Sequence, residues 1–162
     1  MKYTKSCYYI LILIFFSSLV QAQTKEKRKI VPAIGLSYQK STLIDFRFFV
    51  CKFINDPHMG YTLNGPFIGY ETNFSSSNDL RGFRIGLESN FSYLVGKISM
   101  VNYFNKNNSD FKITPEIGFS FLQIFSLTYG HNFSLSKYKS NEISSNKVGI
   151  SIFLNKKLWS QK

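Results

Sequence analysis

The sequence predicts an all-β protein, an eight-stranded antiparallel up-and-down barrel, because of two observations. First, residues 111–121 and 125–133 alternate apolar and polar side chains with almost no exception. Successive side chains of a strand point to opposite faces, so each run has a bulky apolar face and a small polar face. Second, no stretch shows sustained helical periodicity, and the 17 phenylalanines and 10 tyrosines of the chain favour strands.

The first 22 residues have the organisation of a cleavable secretion signal. Lys2 and Lys5 form a charged beginning, residues 8–20 are apolar, and Val20-Gln21-Ala22 is a small-residue cleavage site. The apolar run is too short and too early for a spanning helix. We therefore expect four segments: a signal peptide (1–22), a short basic N-terminal tail (23–29), a barrel domain (30–155) and a basic C-terminal tail (156–162).

Eight strands are predicted, each close to the length of about 9–11 residues that a tilted strand needs to cross a bilayer. They are Ile30–Gln39, Leu43–Ile54, Pro66–Phe74, Gly82–Asn90, Val95–Phe104, Phe111–Phe121, Phe125–Phe133 and Lys147–Asn155. Proline lacks the N–H that a sheet ladder uses, so Pro115, inside the sixth run, predicts a bulge there.

The connections between the strands predict which end of the barrel faces outward. Polar loops follow strands three, five and seven, at 75–79, 105–109 and 135–146, whereas strands four and six are followed by tight turns. Outer-membrane barrels have short periplasmic turns and longer outward loops, so we expect both termini on the periplasmic side. The connection 55–65 is the exception, because it is long on the side where turns should be short.

Alternation alone does not decide which face is buried. A soluble, lipocalin-like barrel that binds a hydrophobic ligand holds its apolar face inside, whereas a membrane barrel turns that face to lipid. The polar face here is rich in small residues, which suit the narrow lumen of eight strands better than a solvated surface. This favours the membrane barrel, with the soluble barrel as the alternative. The small residues are Gly35, Ser37, Gly69, Gly86, Gly118, Ser120, Ser126, Thr128, Gly130, Gly149 and Ser151.

The charged residues of the polar face are balanced in sign. Because an unpaired buried charge is very costly, equal numbers of acids and bases predict a paired network that closes the lumen. The predicted members are four acids and four bases: Asp45, Arg47, Glu71, Arg84, Glu88, Lys97, Lys112 and Glu116. Removal of the signal lowers the formal net charge from +11 to +9, and we expect most of this excess to lie near anionic lipid head groups.

The final strand carries a further signal. Residues 147–154 place Lys147, Gly149, Ile152 and Leu154 at offsets of two, five and seven, a pattern that resembles the β-signal of outer-membrane barrels. Residues 30–155 as a whole resemble the small eight-stranded barrels of the OmpA/OmpX type, among the uncharacterised outer-membrane β-barrel proteins. The resemblance implies a location in the outer membrane of a Gram-negative bacterium, contact with outer-membrane lipid or lipopolysaccharide, and assembly by the barrel-assembly machinery. It implies no reaction.

No arrangement of residues in the sequence favours catalysis. A lipid A-modifying membrane hydrolase would require His131, Ser134 and Glu142 to act together, but residues three apart on a strand point to opposite faces. The sequence contains no pattern of metal ligands or phosphate-binding glycines, so we expect no enzyme activity, no metal and no cofactor. The cationic run 25–29 follows the cleavage site directly and predicts a solvated tail, not a nucleic-acid arm.

The role expected from the sequence is structural or one of surface interaction. Loops are where barrels carry specificity, and the longest predicted loop, 135–146, contains Lys137, Tyr138 and Lys139. We expect these three residues to contact a surface ligand whose identity the sequence leaves open.

Overall fold

The structure, a computed structural model, describes residues 28–56, 60–73, 80–91, 93–105, 108–122 and 124–154. The predicted signal peptide, most of the N-terminal tail and the C-terminal tail lie outside these residues. The strands are β1 (Lys29–Gln39), β2 (Ser41–Asp56), β3 (Gly60–Asn73), β4 (Arg81–Phe91), β5 (Leu94–Asn105), β6 (Asn108–Phe121), β7 (Phe125–His131), β8 (Phe133–Ser134) and β9 (Asn146–Phe153).

These strands form one closed antiparallel sheet. From β1 to β7 each strand pairs with the next along the chain, β7 pairs with β9, and β9 pairs back onto β1, for example at Ala33 and Phe153. The short β8 continues β7 after a break at Asn132, and both pair with β6 in one register, so together they make a single strand of the barrel. The prediction of an all-β, eight-stranded antiparallel barrel is confirmed. Within the described ranges, no helix is long and apolar enough to span a membrane.

The pairing register fixes the tilt of the strands. Paired residues lead around the barrel from Tyr38 through Val148, Tyr129, Ile117, Gly96, Ser89, Asn64 and Lys52. Lys52, the last of these, lies opposite residue 28, directly before β1, because the neighbouring pair is Lys29 with Cys51. The path therefore leaves β1 at residue 38 and returns at residue 28, a stagger of ten residues in one circuit of the barrel. With a rise of about 3.3 Å per residue and strands about 4.8 Å apart, this stagger gives a tilt of roughly 40°.

Two predicted loops are strands in the structure. The connection expected at 55–65 is shorter, because β2 and β3 continue to a pair between Asp56 and Gly60. The loop expected at 105–109 is also a tight hairpin, with Asn105 paired to Asn108. Although these segments are rich in polar residues typical of loops, they pair as strands, because the pairing gives hydrogen-bond partners to more of their backbone N–H and C=O groups.

The bulge predicted at Pro115 is absent from β6. The register with β5 is constant from one end of β6 to the other, and the register with β7 is the same as that with β8. The missing proline N–H coincides instead with a gap in the ladder. His131 and Asn132, the residues opposite Pro115 and Thr114, carry no pairing to β6, and the amide N of Asn132 donates to Ser145 O at 2.6 Å. The ladder therefore loses bonds without gaining a residue.

The barrel is polar in its middle and apolar at both ends of its lumen. The end that carries Lys29 and Phe153, here called the terminal end, is filled by a cluster of Val31, Ala33, Phe49, Cys51, Leu63, Phe67, Ile124 and Phe153. The opposite end, here called the loop end, is filled by Leu43, Leu80, Val101, Tyr103 and Ile143. Large apolar side chains are exposed on the outer face of every barrel strand.

Candidate functional site

The candidate site is the charged middle of the lumen together with the loop above it. All eight residues predicted for a lumen network are buried, the most exposed of them, Lys97, at 7%. The structure adds Asp110 and Lys147, so five acids and five bases are buried among the described residues. Since both signs are equally represented, the lumen carries no net formal charge. These ten side chains point inward from six barrel strands, β2 to β6 and β9.

Arg84, on β4, lies at the centre of the network. Its guanidinium group forms ion pairs with Glu71 at 3.1 Å, with Asp45 at 3.8 Å and, at closer range, with Glu116. The Nε atom donates to the hydroxyl of Ser99 at 3.0 Å. The planar guanidinium fork offers five donors, so it can bind carboxylates from several strands at once. Arg84 thereby connects β2, β3, β5 and β6 through the lumen.

Arg47 forms a second centre closer to the terminal end. It pairs with Asp45 at 2.8 Å on its own strand and with Glu88 at 2.7 Å on β4. Glu88 also lies 3.8 Å from Lys97 and accepts a hydrogen bond from Asn90 at 3.1 Å. Each buried charge in this part therefore faces an opposite charge, as the cost of burying ions requires.

An aromatic ring joins the two arginine centres. The guanidinium carbons of Arg47 and Arg84 lie 5.5 and 5.3 Å from the centre of the Phe67 ring. A desolvated cation at this distance is attracted by the ring's negative face. The ring has room because Gly86 has no side chain: a Cβ atom there would lie 2.8 Å from Phe67 Cζ and 2.4 Å from Ile98 O. The small residue is thus required by packing.

Lys147, on β9, closes the network on the other side. Its ammonium group donates to Glu71 and lies 3.8 Å from Glu116, while Thr128 donates to Glu116 at 2.9 Å. Sequence reasoning did not include Lys147, although it shares the phase of Gly149 and Ser151, which were assigned to the polar face. The alternation along β9 could have found it.

Hydrogen bonds extend the network to the loop end. Tyr103 Oη donates to Glu71 at 2.6 Å and accepts from Gln39 Nε2 at 2.8 Å. Asn132 Nδ2 donates to Gln39 Oε1 at 2.7 Å and to Ser144 O at 2.8 Å. A continuous path of polar contacts therefore runs from the central carboxylates to the backbone of the long loop. Tyr103, Gln39 and Asn132 carry no formal charge, so charge counting did not find them.

The long loop, residues 135–145, folds back over the loop end of the barrel. Asp110 holds it, because its carboxylate accepts from Ser134 Oγ at 2.6 Å and from Ser140 N at 2.8 Å and pairs with Lys112 at 2.9 Å. Ile143 is 7% exposed and belongs to the apolar cluster of the loop end. The loop therefore covers the mouth of the barrel and is held there by ionic and apolar contacts.

The predicted contact residues lie on the outer side of this loop. Lys137, Tyr138 and Lys139 are exposed, and Lys40 supports the same region by donating to Asn141 O at 2.6 Å. The anchored loop therefore presents these three side chains on its outer surface.

The three residues of the hydrolase alternative do not meet. His131 is exposed and contacts Asn146 and Phe133 on the outer face. Ser134 uses its hydroxyl to bind Asp110, and Glu142 lies in the loop with one buried carboxylate oxygen, Oε2, that has no hydrogen-bond partner in the described structure. In the described structure neither His131 nor Glu142 hydrogen-bonds to the serine hydroxyl, whose partner is the Asp110 carboxylate, so the arrangement that the hydrolase alternative requires is not formed.

The part of the chain that the structure describes contains no group of three or more His, Cys, Asp or Glu residues suited to a metal ion. Comparison with known proteins adds no assignment: no family model, no curated protein and no solved structure matches the chain.

Proposed function

We propose that this chain is an integral outer-membrane β-barrel with a closed lumen, whose role is structural or one of surface interaction. The observation that carries the proposal is the inversion of polarity: charges are buried inside the barrel and large apolar side chains are exposed outside it. Phe119, Phe48 and Leu127, for example, are 69%, 55% and 50% exposed on three different strands. In water such a continuous apolar surface favours association, whereas lipid solvates it.

The height of the exposed apolar surface supports a membrane. On β7 and its continuation, outward apolar side chains extend from Phe125 to Leu135. At a tilt of roughly 40°, ten residues rise by about 25 Å along the barrel axis, which is the height of the apolar band of outer-membrane barrels. A closed barrel also has no unpaired edge, a requirement for strands in lipid.

The connections between the strands support a direction for the barrel in the membrane. The described ends of the barrel, the first residue of β1 and the last of β9, lie at the end that carries the tight turns after β4 and β6, and the long loop lies at the other end. Short turns on the periplasmic side and longer loops outside are typical of outer-membrane barrels. We infer that the termini are periplasmic and that Lys137, Tyr138 and Lys139 face outward. The barrel-assembly machinery and outer-membrane lipid or lipopolysaccharide are the partners that this location implies.

A membrane fractionation experiment tests the location. The protein with its signal should sediment with the outer membrane, require detergent for extraction, and migrate faster on a gel before boiling than after it. If the mature protein stays soluble without detergent and binds a hydrophobic probe inside, the lipocalin-like alternative replaces the proposal.

A second measurement tests the closed lumen. Ion pairs, Phe67 and the two apolar clusters occupy the inside of the barrel, and eight strands leave a lumen just wide enough for side chains. We expect purified protein in a planar bilayer to give no stable conductance. Large, steady, ohmic currents would contradict the closed lumen.

A further inference from the structure

The outer face of the barrel carries a polar cluster inside its apolar surface. The outward residues of β7 and β8 are Phe125, Leu127, Tyr129, His131 and Phe133, and the exposed Leu135 follows them. His131 is the polar exception in this run, and its pairing partner on β9 is Asn146, which is also exposed. A polar pair with aromatic residues on both sides needs an explanation if this face contacts lipid.

The hydrogen bonds of the cluster fix which atoms remain free. Asn146 Oδ1 accepts from Tyr129 Oη at 2.9 Å and lies 3.2 Å from His131 Nδ1. Because the amide oxygen can only accept, His131 Nδ1 is the donor in this contact, and in the neutral imidazole the remaining nitrogen, Nε2, is an acceptor. In the described structure, the two hydrogens of Asn146 Nδ2 and the Nε2 lone pair have no partner. The cluster thus presents two donors and one acceptor at the barrel surface.

Aromatic rings flank these free atoms. The His131 and Phe133 rings have centroids 4.6 Å apart, and Phe133 and Tyr129 are each 53% exposed. The chemistry that matches both features is a sugar, whose hydroxyl groups donate and accept while its C–H faces lie on aromatic rings. A phosphate group fits less well, because the cluster of Tyr129, His131, Phe133 and Asn146 contains no fixed cation.

We propose that Tyr129, His131, Phe133 and Asn146 bind the sugar headgroup of a membrane glycolipid at the loop-end edge of the apolar surface. Leu127 and Ile150 are exposed below the cluster, towards the terminal end, where the acyl chains would lie. This inference rests on the proposed function, since the glycolipid reaches the site from the membrane.

The test uses the full mature protein reconstituted into phosphatidylcholine nanodiscs with equal small amounts of monoglucosyl diacylglycerol and phosphatidylglycerol. Lipids that remain bound are counted by native mass spectrometry. The His131→Ala/Asn146→Ala double variant should retain about tenfold less glycolipid than wild type, as the loss of one to two net hydrogen bonds predicts. Phe83→Ala, which removes an exposed aromatic ring from the opposite side of the barrel, should retain as much as wild type.

Several results would overturn the site. Equal glycolipid retention by wild type and double variant excludes binding by these residues, and equal retention of phosphatidylglycerol excludes recognition of the sugar. Soluble methyl glucoside binding as strongly as the glycolipid excludes a lipid ligand. If the double variant does not fold, His131→Phe keeps the ring and removes Nε2, and it should also lose glycolipid. Insertion into the nanodiscs is measured first: protein that stays outside them overturns the proposed function and the site together, whereas inserted protein without glycolipid overturns only the site.

Discussion

Arg84 provides the sharpest test of the lumen network. Replacing it by methionine keeps an apolar stem of similar length but removes the charge that faces Glu71, Glu116 and Asp45. It also removes the hydrogen bond to Ser99 and the contact with the Phe67 ring. Loss of one partner from a buried ion pair costs about 3–5 kcal/mol because the remaining charge is left uncompensated.

We expect the Arg84→Met variant to lose about 3–5 kcal/mol in the free energy of unfolding. The lower part of this range is favoured, because Lys147 still faces both Glu71 and Glu116. Urea unfolding in detergent micelles, followed by far-ultraviolet circular dichroism, measures this free energy. Lys137→Met is the matched control, since the Lys137 side chain is exposed in the loop, and it should change stability by less than about 0.5 kcal/mol.

The double variant Arg84→Met/Glu116→Gln isolates the pair. If these two groups interact directly, its loss of stability differs from the sum of the single losses by about 1–3 kcal/mol. A loss below about 1 kcal/mol for Arg84→Met would refute the reasoning, because that value is typical of ion pairs screened by water.

Two further predictions concern packing and the loop. Gly86→Ala should destabilise the barrel by about 1–3 kcal/mol, because the added Cβ would meet Ile98 O and Phe67. Gly96→Ala is the control and should be nearly neutral, because nothing lies within 4 Å of a Cβ at that position. Equal losses of stability in thermal unfolding of the two variants would contradict the close packing around Gly86. Asp110→Asn should weaken the anchor of the long loop and speed tryptic cleavage after Lys137 about tenfold. Glu142→Gln is the control and should leave the cleavage rate unchanged. Equal cleavage rates of the two variants would show that Asp110 does not hold the loop.

The fold and the inward phase could be predicted because they depend on a local pattern. Residues that alternate along a strand must alternate between its faces, so Arg84 and Glu116 could be placed in one lumen before their partners were known. The same rule covers Lys147 and Asp110, which share the phase of Gly149 and Lys112. Lys147 lay inside the predicted eighth strand and was left out of the count, whereas Asp110 lies one residue before the predicted start of the sixth strand; the alternation holds at both positions.

The connections and the neutral part of the network could not be predicted in the same way. Whether residues 55–65 form a loop or a hairpin depends on pairing between β2 and β3, which local composition does not determine. Similarly, the sequence pattern predicts only that Tyr103 is an apolar residue of a strand. Its hydroxyl meets Glu71 only in the folded barrel. Contacts between residues distant in the chain require the register, which the sequence pattern leaves open.

The most direct test of the central claim measures what the outer face of the barrel contacts. A nitroxide label is placed at Ile85→Cys or Leu127→Cys, on outward apolar positions of β4 and β7, and at Lys137→Cys in the loop, each with Cys51→Ala. In reconstituted vesicles, the labels on the two strands should be accessible to oxygen and protected from a polar nickel chelate, and the loop label should show the reverse. Strand labels that are as accessible to the nickel chelate as the loop label would contradict a lipid-facing barrel.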